Sequence, residues 1–415
     1  MRNNLISKLA KLSLGLFLTG SISAGAEPLK VAIIEALTGP AETVGRPFAQ
    51  STRLALEEIN ARGGYNGDPI VIKDYDNAST LAGASEQFRL AVADGARVIF
   101  QAASSAVAGQ LSDEVRRHNL RNAGKEIIFY NVGSAAADLT GEKCHFWFFR
   151  TGNTPEMGWN LTVPVLQSEG VLKSKAFLIN QNYSYGLSVQ AAQRNILKAR
   201  NINVAGDVIH DLNKIQDFSP YVQQIKSSGA EIVMTGNGFN DMILLLRAIR
   251  DAGLKVNLAS ISLDVPGTLK AAGDSALGYY NTTPFTLNAG PKMDAWVTSF
   301  QKKFGRDPIA YDATAYNAVM LLGNALNATS VKGGPLDSRK IAVAIENATY
   351  ESPFGLQSMR KEDHQAIIPM FVSKVTKTAA KKVDGTDMGF ETVAAVSGVT
   401  AATPVDTACK MQRPS

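Results

Sequence analysis

Short apolar runs rich in Val, Ile, Phe and Tyr alternate along this chain with longer stretches whose apolar positions recur at helical spacing. That rhythm belongs to strand–helix–strand units, which build parallel sheets. In the first half the pattern predicts strands over 29–36, 69–75, 97–101 and 126–132, with helices between them. Over 46–62, Phe48, Leu54, Ala55 and Ile59 fall on one helical face, and Gly63-Gly64 ends the helix. A second set of alternations predicts strands over 175–180, 203–210, 231–236 and 257–262, with helices over 185–200, 218–228 and 239–252. From residue 290 the pattern turns helical, over 291–304, 311–329 and 337–347, and these helices need a sheet to cover. Residues 352–375 alternate like a hairpin, and 377–415, rich in Thr, Ala, Lys and Pro, read as an irregular tail. The fold class is therefore α/β with two lobes, because about 389 residues after residue 26 exceed what one core usually supports.

The amino terminus changes the picture of where the chain works. Arg2, Lys8 and Lys11 precede or flank an apolar stretch from Leu12 to Ile22, followed by Ala24-Gly25-Ala26. This is the pattern of a cleaved secretory signal over residues 1–26, and the stretch is shorter than the roughly 20 residues needed to span a bilayer. Its removal lowers the net charge from +5 to +2. Charges of both signs are scattered without a basic stripe, so nucleic acid is not implied as a partner. No later segment reaches transmembrane length, which leaves the exported chain in the periplasm or outside the cell, without an anchor of its own. In that oxidising compartment, Cys144 and Cys409 are expected to form a disulfide holding the tail; two separate buried thiols are the alternative.

Motifs for catalysis are missing: there is no G-x-S-x-G, Walker loop, H-E-x-x-H or C-x-x-C. His118, His145, His210 and His364 are each more than twenty residues apart, so no metal site or cofactor is expected. Gly236-Asn237-Gly238 lacks the third glycine of a dinucleotide turn, since Asp241 stands there. The chemistry concentrates instead in loops after the strands, where open α/β sheets bind ligands. Thr38 lies after the first strand, Ser104 and Ser105 after the third, and Gly133, Ser134 and Ala135 after the fourth. Small residues there let an anion approach the N–H groups of a helix start, with serine hydroxyls as donors or as ordinary caps. The second half offers Tyr183 and Tyr185, Asn237 and Phe239, and Asp264, whose alternative role is to cap the helix opened by Pro266.

Taken in order, these pieces resemble the type I periplasmic solute-binding proteins of ABC importers, in particular the leucine, isoleucine and valine-binding family. The resemblance rests on Val31-Ala32-Ile33 leading to Leu37-Thr38-Gly39-Pro40, on Ala55-Leu56-Glu57-Glu58-Ile59-Asn60 with Gly63-Gly64, and on Ala103-Ser104-Ser105. Tyr183 to Gly186, Tyr221-Val222 to Gly229-Ala230 and Pro353-Phe354-Gly355 continue it. It implies two Rossmann-like lobes joined by three crossings: 27–150 plus 283–352, and 151–282 plus 353–385, with 386–415 as the disulfide-tied tail. It further implies a monomer that closes over a small carboxylate ligand and is recognised by an importer permease, without catalysis. A sensor subunit presenting the same closed complex is the rival role. By resemblance the ligand carboxylate meets Ser104 and the amide of Ser105, and an ammonium group meets Gly133, Ala135 and Asp264. Ala135 lacks the family's hydroxyl at its position, and Asp264 is shorter than the usual Glu. The cysteine pair with the ending Cys409-Lys410-Met411-Gln412-Arg413-Pro414 is similar to a subgroup that includes binders of benzoate-like acids. Neutral amino acids, branched-chain ones first, and aromatic carboxylates are thus the two implied ligand classes.

Overall fold

A computed structural model describes residues 27–287 and 291–414; the expected signal segment lies outside the described residues. The first sheet holds β1 (Lys30–Glu35), β2 (Val71–Asp76), β3 (Val98–Gln101), β4 (Ile128–Asn131) and β5 (Phe148–Arg150), all parallel, in the order β2-β1-β3-β4-β5. All four positions of β3 and of β4 are buried, as expected for strands covered on both faces, whereas the edge strand β2 is largely exposed. The crossovers are α1 (Glu42–Ala61), α2 (Leu81–Ala93) and α3 (Ser105–Asn119).

After β5 the chain enters a second body through α4 (Pro155–Ser168), whose first turn is capped by Thr154 Oγ1 accepting the Met157 N–H at 3.1 Å. There follow β6 (Lys175–Gln181), α5 (Ser184–Ala199), β7 (Asn203–His210), α6 (Ser219–Ser228), β8 (Ile232–Thr235), α7 (Phe239–Asp251), β9 (Asn257–Ser260), α8 (Thr268–Ala272) and β10 (Tyr280–Thr283). The helices α9 (Pro291–Phe304), α10 (Ala310–Thr329) and α11 (Ser338–Glu346) come next. α10 lies along α1, and α10 and α11 bury residues in the first sheet's core, whereas α9 packs in a separate cluster with Phe285 and Phe371; Phe48 and Tyr311 pack at 4.8 Å and Ser51 Oγ donates to Asp312 Oδ1 at 2.8 Å.

A small antiparallel sheet of β11 (Thr349–Ser352), β12 (Gly355–Met359) and β13 (Ala366–Ile367) precedes β14 (Met370–Thr376) and β15 (Gly389–Val396). The last two join the second sheet, ordered β15-β14-β10-β9-β8-β6-β7, where β14 runs antiparallel to both β10 and β15. Three sequence expectations shift here. Met359, Ala366 and Ile368 are buried with the first sheet's core, so the chain leaves that body near residue 369 and not at 353. The tail from 377 is not irregular throughout, because β15 pairs along β14. Beyond β15 the chain returns to the first body: α12 (Gly398–Ala401) buries Ala401 in the first core, and the expected disulfide joins Cys409 to Cys144. The two bodies are therefore linked four times, with β5, β10, the 368–370 segment and the 397–398 segment marking the passages.

Candidate functional site

In an open parallel sheet the strand order reverses at one point, and the crevice there faces the N-termini of the flanking crossover helices. The order of the first sheet puts that point between β1 and β3, and the order of the second between β6 and β8. These two points face each other across the junction of the bodies. Between them lies a partly open cavity of about 90 Å³, lined from both bodies.

The first body contributes Val44 and Phe48 from α1, Ala102, Ala103 and Ser105 around the start of α3, Gly133, Ser134 and Ala135 after β4, and Tyr311 from α10. Asn153 stands in the passage between the bodies, and the second body adds Tyr183, Tyr185, Gly238, Phe239, Ile261 and Ser262. None of these side chains carries a formal charge. Burial pushes the Tyr185 phenol up to about 12 and that of Tyr183 well above its ordinary value, so both stay neutral donors. The polarity comes from serines and from helix starts: α3, α5 and α7 all begin at the cavity, and their first N–H groups have no partner within their own helices. Such a lining suits an apolar body carrying one negative group.

The local sequence explains the shape. A Cβ at Gly133 would come within 2.4 Å of Phe48 Cζ, so glycine lets the Phe48 ring lie over the loop. The Ser105 hydroxyl accepts the Ala135 and Ala136 N–H groups, each at 3.1 Å, which ties the loop after β4 to α3 and leaves its own proton to donate. Ser134 Oγ donates to the Ala102 carbonyl at 2.8 Å. Beneath this floor, the fully buried Glu35 carboxylate accepts the N–H groups of Ala36 (2.9 Å), Ala102 (2.7 Å) and Ala103 (3.2 Å), and burial raises its pKa to about 7. The bodies touch directly where Ala137 N–H donates to Ser188 Oγ at 3.1 Å.

Of the residues expected from sequence, Ser105, Gly133, Ser134, Ala135, Tyr183, Tyr185 and Phe239 come together here, and four others do not line the cavity. The hydroxyl of Ser104 caps α3, accepting the Val107 N–H at 3.5 Å. Thr38 is exposed and donates to Asp76 Oδ2 at 2.7 Å. Asn237 is fully buried, with its Oδ1 3.1 Å from His210 Nε2. Asp264 faces a neighbouring cavity, accepting the Asn281 amide and, across the junction, the Ala310 N–H, both at 3.1 Å; burial raises its pKa. Sequence reading missed Val44, Phe48, Tyr311, Asn153, Ile261 and Ser262. Phe48 had registered only as a core position, and Tyr311 arrives from a helix more than 250 residues away in the chain.

Among the described residues no cluster suits a metal ion, and no helix is long and apolar enough to cross a membrane. The chain matches the family model of the periplasmic binding proteins over residues 28–382. It is 40% identical over 400 residues to the Leu/Ile/Val-binding protein homolog 4 of Brucella abortus (strain 2308), covering 96% of each chain. The crystal structure of a leucine-, isoleucine-, valine-, threonine- and alanine-binding protein from Brucella ovis, in its closed conformation, superposes with a TM-score of 0.89 at 40% identity, covering 94% of this chain and all of that one. A solute-binding protein of an ABC transporter from R. palustris, solved with benzoate, shares the fold at 18% identity and a TM-score of 0.76, covering 92% of this chain and 100% of that one. The late helices returning to the first sheet, the paired switch points and these matches agree: the chain belongs to the periplasmic binding protein family, with the type I fold.

Proposed function

We propose that this protein captures a small apolar carboxylate solute in the periplasm by closing its two bodies, and presents it to the permease of an ABC importer without chemical turnover. The observation that carries the reading is the cavity between the bodies: aromatic and aliphatic walls, no charged side chain, and three helices that begin at it. The ligand carboxylate is assigned to the first turn of α3 and the Ser105 hydroxyl. Neutral amino acids with branched side chains are the first ligand class, in keeping with the printed names of the relatives at 40% identity. Aromatic carboxylates are the second, favoured by two observations. Ala135 supplies no hydroxyl, and the Asp264 carboxylate is engaged by Ala310 and Asn281 outside the cavity.

A thermal-shift series with leucine, isoleucine, valine, alanine, benzoate and 4-hydroxybenzoate separates the classes, since ligand at a hundredfold excess over Kd stabilises by about 2.7 kcal/mol. A shift with the amino acids alone supports the first class, and a shift with the benzoates alone the second. No shift with either, or conversion of any of these compounds, refutes the reading.

A further inference from the structure

Phe239 walls the cavity with a backbone φ of 54°, in the left-handed region that a bulky residue seldom occupies, so something must hold it there. The preceding residue shows what does. Gly238 N–H donates to Gln181 Oε1 at 3.2 Å while Gln181 Nε2 donates back to the Gly238 carbonyl at 3.1 Å, so one side-chain amide engages both polar groups of a single backbone unit. The same Nε2 donates to Asp241 Oδ2 at 2.8 Å, in the first turn of α7, which fixes the helix start beside the turn. Gln181 is completely buried at the end of β6, the strand next to β8, so its amide has no water to bond with instead. Its carbonyl also accepts the Tyr183 N–H at 3.0 Å, and a Cβ at Gly186 would lie 1.9 Å from that same oxygen, so α5 begins hard against it.

We propose that Gln181 is the positioning residue of this site: its side-chain amide clamps Gly238 and thereby holds the Phe239 ring over the ligand, while its backbone sets Tyr183 beside it. Gln181 does not line the cavity. The affinity arm of the test rests on the binding function proposed above; the structural arm does not.

The test combines crystal structures of Gln181→Met and Gln181→Glu with calorimetric titration of leucine and of benzoate. Titrations use the parent protein, the two variants, Phe239→Ala and the double variant Gln181→Met/Phe239→Ala. In Gln181→Met, Phe239 is expected to leave the left-handed region, and affinity for whichever probe binds the parent to fall about tenfold, equivalent to about 1.4 kcal/mol. In the Phe239→Ala background the same substitution should change affinity less than about twofold, because the two residues act as one unit. Additive losses, or Phe239 keeping its place and φ in Gln181→Met, would overturn the proposal. If Gln181→Met does not fold, Gln181→Glu decides: its carboxyl has one proton, which can restore the bond to the Gly238 carbonyl only when the group is protonated, so affinity should recover in part as pH falls, and a pH profile parallel to the parent's refutes the clamp. Should neither probe bind the parent, the ligand assignment fails, and the φ of Phe239 in the variant crystals still judges the clamp.

Discussion

At the scale of single residues, three positions at or beneath the cavity floor make separable predictions. The Ser105 hydroxyl accepts two N–H groups and keeps its own proton for a ligand, and a hydrogen bond to a charged group is worth about 1.5–3 kcal/mol. Ser105→Ala is therefore expected to weaken a carboxylate ligand by roughly ten- to a hundredfold in calorimetry. Gly133→Ala acts on shape: its new methyl collides with the Phe48 ring, which lines the cavity, so binding is expected to weaken at a folding cost of about 1–3 kcal/mol. Glu35 gives a pH signature. Its folded pKa of about 7 stands above its ordinary 4.5, so the native state holds the proton more tightly than the unfolded chain. The buried charge thus costs nothing below about pH 4.5 and its full penalty, on the order of 3 kcal/mol, above about pH 7. Stability contributed by this residue falls as pH rises through that window, and Glu35→Gln should flatten the fall in urea midpoints measured from pH 4.5 to 8.

Elements decide which residues share the site, and here sequence and structure part company in an instructive way. Serines in a row at 104 and 105 look alike in sequence, yet the start of α3 gives them opposite duties: one bonds back to the helix, the other faces forward. Ser104→Ala should accordingly lower folding stability by about 0.5–2 kcal/mol with little change in affinity, the reverse of Ser105→Ala. The strand-end loops after β3, β4, β6 and β8 were legible because strand periodicity and small residues are local signals. Phe48 and Tyr311 were not, because nothing local says that α10 will lie along α1. Asp264 was misplaced for a similar reason: its partner Ala310 belongs to the other body, and only the packed fold aims the carboxylate there. The strand β15 escaped notice because its residues alternate between half-buried and exposed, as an edge strand does, under a composition rich in Thr and Ala.

For the whole molecule, two bodies with facing switch points can change their cavity only by moving relative to each other, and the passages between them limit that motion. The fourth passage is fastened at its far end by the Cys144–Cys409 disulfide, by Arg413 pairing with Glu346 (2.6 Å) and by Arg360 donating to the Thr403 carbonyl. Replacing both cysteines by alanine is expected to lower stability by about 2–4 kcal/mol. In solution scattering without ligand, the same variant should show a larger radius of gyration than the parent; an unchanged radius would mean that the tail does not restrain opening.

The disulfide also has a mechanical meaning. Every strand of the second sheet, from Lys175 to Val396, lies inside the covalent ring closed by Cys144 and Cys409. A pulling force applied to the two chain ends passes through the sulfur bridge and never loads that sheet. Stretched in oxidising solution, the chain pays out only the residues before Cys144 and after Cys409, and the second body stays folded as cargo on the bridge. Reduction puts the whole chain in the line of force.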